Sequence, residues 1–539
     1  MTGKTFDYIV VGAGSAGCAM AARLSENPSV SVLLLEAGSK DNSIKITVPA
    51  MITELIKPNP MNWSYWTEEQ QQLNGRKLFW PRGKVLGGSS AINAMLYVRG
   101  HARDYDDWAQ MGCSGWAFDD VLPYFKKAEG SNRAADKYHG TDGPLIIEQH
   151  TSKQSLNAGF LKAAKELGLP YTEDFNGAEQ EGAGWYDQSI KQGRRQSTAR
   201  TYLKAAKNRP NLTVLTDAQV SRVTLAGKKA TGVELIRGGK KEQWKAGREV
   251  ILCGGAINSP QLLQLSGIGD PSDIQAVGLP VFHELTGVGK NMQDHLDMLV
   301  SAHLKDPISM MQYKRPDKGA YEMLKWLFKV PGVMSDCVTP VGAFIKTDKA
   351  LERPDIQLHL IQAMADQAHG LEDPHEHGMG LHICQLRPHS RGTISLSSSD
   401  PMAHAKIDPC YLDQPEDLRV LREGTKLVRR LYRQPGLADF ITEEKSPWNG
   451  IDIEDDDATD TVIRECAETI YHPVGTCSMG PTDNKNSVVD TSLKVIGIQG
   501  LRVVDASIMP RLIGGNTNAP TIMIAEKCAD MIKSELVPA

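Results

Sequence analysis

A chain of 539 residues, 41% hydrophobic and 23% charged, is globular and too long for one ordinary core, so two domains or one large two-lobed enzyme are expected. A net charge of −5 gives no ground for a nucleic-acid partner. Nine cysteines without a CxxC pair argue against a disulfide framework or structural zinc, no metal is expected, and neither a signal peptide nor a run of about 18 apolar residues appears, which together point to the cytoplasm.

Phe6–Gly17 reads FDYIVVGAGSAG. A strand over Tyr8–Val11 breaks at Gly12, Gly14 and Gly17 into a GxGxxG turn that opens onto a helix over Cys18–Leu24. Gly12 permits the tight turn, Gly14 lets a pyrophosphate reach bare backbone, and Gly17 lets helix and strand pack, while the helix N-terminus supplies open N–H groups. A second strand, Val30–Leu35, ends in Glu36, about 20 residues beyond Gly17, where an acid accepts from ribose hydroxyls and disfavours the 2′-phosphate of NADP. The pattern predicts a dinucleotide site.

Ala37–Trp80 is irregular, with Pro49, Pro58, Pro60 and the aromatics Trp63, Tyr65 and Trp66; it reads as a surface excursion pinned by aromatics or as a lid or cofactor cover. In Pro81–Met95, five small residues from Gly87 to Ala91 precede apolar helical spacing. That is backbone pressed against a flat ligand, with Ser89, Ser90 and Asn93 as neutral hydrogen-bonding groups, or a glycine turn that caps a buried helix. Ser114–Gly193 is mixed and polar, with one amphipathic helix, Ser155–Leu167. Strands follow at Leu212–Thr216, Val220–Leu225 and Gly232–Ile236, and Val250–Cys253 leads through Gly254 and Gly255 into a helix over Ser259–Leu265.

From His295 to Ser446, strand-like segments at Gly342–Lys346, Asp355–Leu360 and Gly380–Leu386 alternate with helical ones, the pattern of a separate sheet-based domain that walls a pocket. Its His359, His382 and His389 are read as core or surface residues, with a place on the pocket wall as the alternative. Tyr321–Val330 (YEMLKWLFKV) reads as a core or lid helix, with an interfacial helix resting on a bilayer as the alternative. The acidic run Asp452–Asp457 is expected just ahead of a helix over Thr459–Glu468, where its charge suits the dipole. Near the end come Ile470–Cys477 (IYHPVGTC), a strand at Leu501–Val504, then Asp505–Pro510 and Gly514–Pro520. A helix over Pro520–Ser534, capped by Thr517 or Asn518, aims its positive end at the preceding loop.

Together these motifs resemble the glucose–methanol–choline (GMC) oxidoreductases. The likeness runs from residue 6 onward and is carried by Gly83–Gly100 (GKVLGGSSAINAMLYVRG), Gly254–Gly269 (GGAINSPQLLQLSGIG), YHPVGTCSMG, VVDASIMP and GGNTNAPTIMIAEK. It implies an α/β fold with an α+β second domain: a Rossmann-like FAD-binding domain over 1–154, 195–295 and 460–539, and a sheet-based substrate-binding domain over 155–194 and 296–459. FAD is expected to be non-covalent, since Ile92 stands where some members carry a flavin-linking histidine. By the family's motifs the FAD contacts fall on Gly12, Gly14, Ser15, Ala16, Gly17, Glu36, Ala37, Trp66, Arg82, Gly87, Ser90, Asn93, Ala94, Met95, Val220, Asp505, Ala506, Asn516 and Thr517. The catalytic pair is His472 and Asn516.

LNGRKLFWPRGK, YVRGHARDYDDW and LHICQLRPHSRG are most similar to the bacterial FAD-linked alcohol dehydrogenases of alkane degradation. That branch implies oxidation of a primary aliphatic alcohol to the aldehyde by hydride transfer to flavin N5, a quinone or other electron acceptor, and peripheral contact with the inner face of the cytoplasmic membrane. Choline or polyether alcohol dehydrogenases, an oxygen-using oxidase and, more remotely, a hydroxynitrile lyase are the alternatives. The assigned roles suit the residue types. An imidazole with an ordinary pKa of about 6.5 serves as general base, the non-titrating amide of Asn516 donates to the substrate oxygen, and Pro473 holds the His472 backbone extended.

Overall fold

In the computed structural model, which describes residues 2–149, 154–365 and 376–536, the β-branched run Tyr8–Val11 is the buried end of a longer strand, Thr2–Val11. It pairs in parallel with Val32–Leu35 on one side and Lys240–Leu252 on the other. Leu212–Leu215 and Leu501–Val503 add further parallel strands. The antiparallel meander Ala218–Ala226, Lys229–Arg237 and Lys240–Leu252 completes a seven-stranded sheet. Its last strand is longer than Val250–Cys253 announces, because the first half alternates exposed with half-buried side chains and carries no apolar run.

The glycine turn is sterically closed. Gly12 has φ +98°, and a Cβ on Gly17 would stand 1.8 Å from Gly12 O, so backbone packs directly on backbone. The helix that follows begins at Ser15, earlier than the apolar spacing indicated, and ends at Leu24. It lies along the C-terminal helix Asn518–Leu536. Ser15 Oγ donates to Asn518 Oδ1 at 2.7 Å, and Arg23 pairs with the fully buried Glu526 at 2.8 Å. Ile9, Val10, Leu33, Leu34, Ile251, Ile522 and Ala525 form the centre of the core between sheet and helices.

The second sheet is antiparallel, in the order Ile441–Glu444, Leu296–Leu304, Gly378–Gln385, Ile356–Ile361, Val341–Ile345, Gly182–Trp185, with Glu468–Thr469 beside the start of Leu296–Leu304. Alternation sorts its faces. Met298, Val300, Leu358, Leu360, Leu381 and Ile383 pack with Leu421 and Val428 of the helix Pro415–Tyr432. Gln357, His359 and Ile361, and His382 opposite His359, stand on the other face.

Two local expectations change. The helix at Tyr321–Val330 spans Pro316–Leu327 and buries only Glu322 and Trp326, so it is not a core helix. The acidic run does not stop short of its helix: Asp455 caps Asp456–Cys466, accepting from Ala458 N, and Asp456 and Asp457 occupy the first turn. No helix of the described residues is long and apolar enough to cross a membrane.

Candidate active site

The two sheets border one cavity of about 400 Å³. On the side of the parallel sheet its lining is largely backbone. Helix Ser15–Leu24 starts at Gly14 with no side chain capping its first turn, so its N–H groups stay available to an anion. A Cβ on Gly88 would meet Gly14 Cα at 2.7 Å, which fixes the spacing of the two loops. Glu36 accepts from Ala13 N at 2.9 Å through Oε2 and from Gly38 N at 2.8 Å through Oε1; burial raises its pKa to about 7. Asp505 Oδ2 accepts from Gly255 N at 2.8 Å and Ser259 Oγ at 2.6 Å, which joins the second glycine unit to the C-terminal segment. Uncapped helical N–H groups, a carboxylate with lone pairs left for hydroxyls and a glycine-thin wall together fit a flavin dinucleotide.

His472 stands where the two sheets meet. Its backbone is held tightly: the N–H donates to Asp294 Oδ1 at 2.7 Å, while Asp294 Oδ2 accepts from Thr469 Oγ1 at 2.6 Å and from Tyr411 Oη. Tyr471, just before it, has φ +71°, a conformation rare for an aromatic residue. It is pinned by its N–H on Thr469 Oγ1 at 2.8 Å and by its carbonyl on the Arg82 guanidinium.

The hydrogen bonds also fix the ring's tautomer. Leu386 O lies 3.1 Å from His295 Nε2, and a carbonyl only accepts, so the proton of neutral His295 is on Nε2. Burial drives the His295 pKa down to about 3, which keeps the ring neutral and Nδ1 bare. His472 Nδ1, 3.0 Å from that nitrogen, must then be the donor. Its Nε2 is left as the acceptor, taking a hydrogen bond from Asn516 Nδ2 at 3.3 Å. Burial, with the fields of His295, His359 and Arg82, holds the His472 pKa well below 6.5. Asn516 is oriented in turn by Gln357, whose Nε2 donates to Asn516 Oδ1 at 3.1 Å. The result is a neutral base beside an amide donor, the pair that deprotonating a hydroxyl requires.

Of the positions expected from sequence, Gly12, Gly14, Ser15, Ala16, Glu36, Ala37, Arg82, Asn93, Ala94, Met95, Val220, Asp505, Ala506, His472, Asn516 and Thr517 line the cavity. Gly17, Gly87 and Ser90 stand behind its wall: Gly87 N donates to Ala13 O at 2.7 Å, and Ser90 Oγ donates to Gly87 O at 2.6 Å. Trp66 is a correction, since it is 55% exposed and rests edge-on against Phe79 at 5.3 Å. Tyr65–Trp66 pairs with Phe79–Trp80, and successive strand residues face opposite ways, so Tyr65 is buried and Trp66 points outward. Trp63 is the aromatic of this stretch that lines the cavity. For His359 and His382 the pocket-facing alternative holds, since both line the cavity, whereas His389 is exposed.

Asp294, His295, Gln357 and Arg195 were not anticipated. Arg195, fully buried, donates to Asn93 O at 2.5 Å and Asn93 Oδ1 at 2.9 Å and fixes the loop that carries Asn93. A signal existed only for Gln357: in Ile356–Ile361 (IQLHLI) polar and apolar residues alternate, which puts it on one face with His359. Ligand-type atoms of His295, Cys384 and His472 lie within 4.8 Å of one another. The two imidazoles already bond each other, however, and burial drives the Cys384 thiol pKa upward, away from the thiolate that a soft metal prefers.

Known proteins share this architecture. The GMC oxidoreductase family profile matches residues 6–297 and 388–525. The chain is 43% identical over 537 residues to a mitochondrial choline dehydrogenase of Homo sapiens, covering 98% of this chain and 90% of that protein. It is 44% identical over 533 residues to an alcohol dehydrogenase (acceptor) of Pseudomonas putida, covering 98% of this chain and 95% of that protein. Pyridoxine 4-oxidase from Mesorbium loti superposes with a TM-score of 0.89 at 31% identity, covering 98% of this chain and 99% of that one.

Proposed function

The chain belongs to the GMC oxidoreductase family and is an FAD-dependent alcohol-oxidising enzyme, and on that premise we propose that its substrate is an uncharged primary alcohol with an aliphatic chain, oxidised to the aldehyde, and that the electrons pass to a quinone-type acceptor. The observation that carries this reading is the composition of the cavity. His472 and the amide of Asn516 share it with Met310, Val338, Ile361, Ala363 and Ala365, a lining suited to an alkyl chain.

FAD, when bound, supplies the hydride acceptor for the alcohol carbon. His472 Nε2 takes the hydroxyl proton, and Asn516 Nδ2 donates to the oxygen as negative charge develops there. The proton that arrives leaves the Nδ1–H bond to His295 in place, so the ring need not turn. Asn516, Thr517 and Asn518 stand at the start of the C-terminal helix and line the cavity, which places a positive dipole end beside that charge. Ile92, also in the lining, offers no nucleophile, so no covalent flavin bond forms at that position.

Anaerobic mixing of the yellow holoenzyme with 1-alkanols of increasing length, aryl alcohols and choline tests the substrate: the alkanols bleach the flavin fastest. Choline oxidation is the second reading, favoured by the likeness to choline dehydrogenase, and preferential bleaching by choline would establish it instead. Re-oxidation by a soluble quinone, with peroxide formation far slower, is expected; peroxide released at the full turnover rate would make the enzyme an oxidase. A quinone is lipid-soluble, so this reading also brings a peripheral membrane contact.

A further inference from the structure

We propose that the helix Pro316–Leu327 and the turn after it form a docking surface for a bilayer that contains anionic lipid. Eleven large hydrophobic side chains are exposed among the described residues, and five of them fall within Tyr321–Val330: Tyr321, Leu324, Leu327, Phe328 and Val330, with Phe328 the most exposed of all at 78%. Tyr321, Leu324, Leu327 and Phe328 follow helical spacing and so share one face. The opposite face is anchored. Trp326 Nε1 donates to Gly193 O at 2.7 Å, and Glu322 accepts from Val333 N at 3.2 Å while pairing with Lys325 at 2.9 Å. The apolar face is therefore turned outward by fixed contacts on the inner one.

Charge selects the occupant. Residues 314–331 carry Lys314, Arg315, Lys318, Lys325 and Lys329 against Asp317 and Glu322, a basic excess on a chain whose net charge is −5. A second copy docked face to face by a two-fold axis would set this excess against itself. An anionic headgroup layer neutralises it and lets the apolar side chains enter the acyl boundary.

The position of the patch suits the chemistry. The helix packs on Met310–Lys314, whose Met310 lines the cavity, and on Val333–Ser335, which packs on Pro49–Met51, whose Ala50 also lines it. A membrane-dissolved quinone or long alkanol would reach the cavity beside this helix; that clause rests on the acceptor and substrate reading above, while the bilayer contact does not.

Co-sedimentation of the holoenzyme with phosphatidylcholine vesicles, with and without phosphatidylglycerol, tests the proposal without any turnover, so its failure and that of the alcohol reading are separate results. Binding is expected to the phosphatidylglycerol vesicles and to weaken with added salt. The triple variant Leu324→Ser, Leu327→Ser, Phe328→Ser should partition at least about a hundredfold less. Its flavin spectrum and its turnover of a short water-soluble alcohol with a soluble dye should be unchanged. Lys318→Glu with Lys329→Glu should cost at least about tenfold, on anionic vesicles alone. Wild-type protein that stays in the supernatant with both vesicles, or a triple variant that binds like the wild type, would overturn the proposal. So would a concentration-dependent dimer abolished by the same three substitutions, which would give the face to a second copy.

Discussion

The two walls of the cavity hold a ligand by different means. The wall on the parallel sheet is backbone: glycine turns, uncapped helical N–H groups and loops pressed together until no side chain fits between them. The wall on the antiparallel sheet presents His359, Ile361 and His382 at alternate strand positions, with Gln357 on the same face behind Asn516. A backbone wall recognises what is common to all dinucleotides and tolerates almost no change. A side-chain wall can be re-specified one residue at a time, which suits it to face the substrate. His472 and Asn516 sit at the seam, and each is braced from the second wall, by His295 and Gln357.

Substitutions that break this contrast should differ in size. The largest effect falls on the backbone wall: Gly17→Val puts a Cβ within 1.8 Å of Gly12 O, and the purified protein should carry no flavin absorbance at all. Next comes the seam. His472→Ala should keep a normal flavin spectrum and slow anaerobic flavin reduction by about 10²–10⁴; near-normal reduction by an alcohol would remove His472 from the chemistry. His295→Phe takes away the acceptor of His472 Nδ1–H and should lower kcat by about 10–10², with KM little changed, as loss of an orienting partner commonly does.

The pH profile sharpens the same point. Since the His472 pKa is held well below 6.5, the base stays neutral as pH falls through 6.5, and the rate of flavin reduction should be flat there. The acid limb appears only at lower pH, where the ring finally protonates; a rate already halved at pH 6.5 would contradict the buried-base geometry. The smallest effect belongs outside both walls: Trp66→Ala, at a residue 55% exposed, should change stability by under about 0.5 kcal/mol and leave flavin affinity, read by fluorescence titration, as it was.

The backbone wall was legible in the sequence because its physics is local. Gly12, Gly14, Gly17 and Glu36 occupy one βαβ unit, and their spacing alone dictates the turn. The seam was legible through the motifs around His472 and Asn516. Their supports were not: His295 and Gln357 meet them across 177 and 159 residues, and nothing in the flanking sequence of either announces the partner. The Trp66 reading failed for a smaller reason. In a strand a shift of one residue reverses the face, and an aromatic cluster does not say which of its members turns inward. The strand Lys240–Leu252 was seen only at its apolar end, because pairing in the meander, rather than burial, extends the rest.

The contact between Ser15 and Asn518, 503 residues apart, bears on how the protein is made. The loop that grips the dinucleotide leaves the ribosome 503 residues ahead of the helix against which it packs. At about 5–20 residues per second, roughly 25–100 s separate the two halves of one binding site. The cofactor cannot be captured by the nascent chain in its final geometry. Until Asn518–Leu536 arrives, the face of the first helix that carries Ser15 and Arg23 lacks its partner.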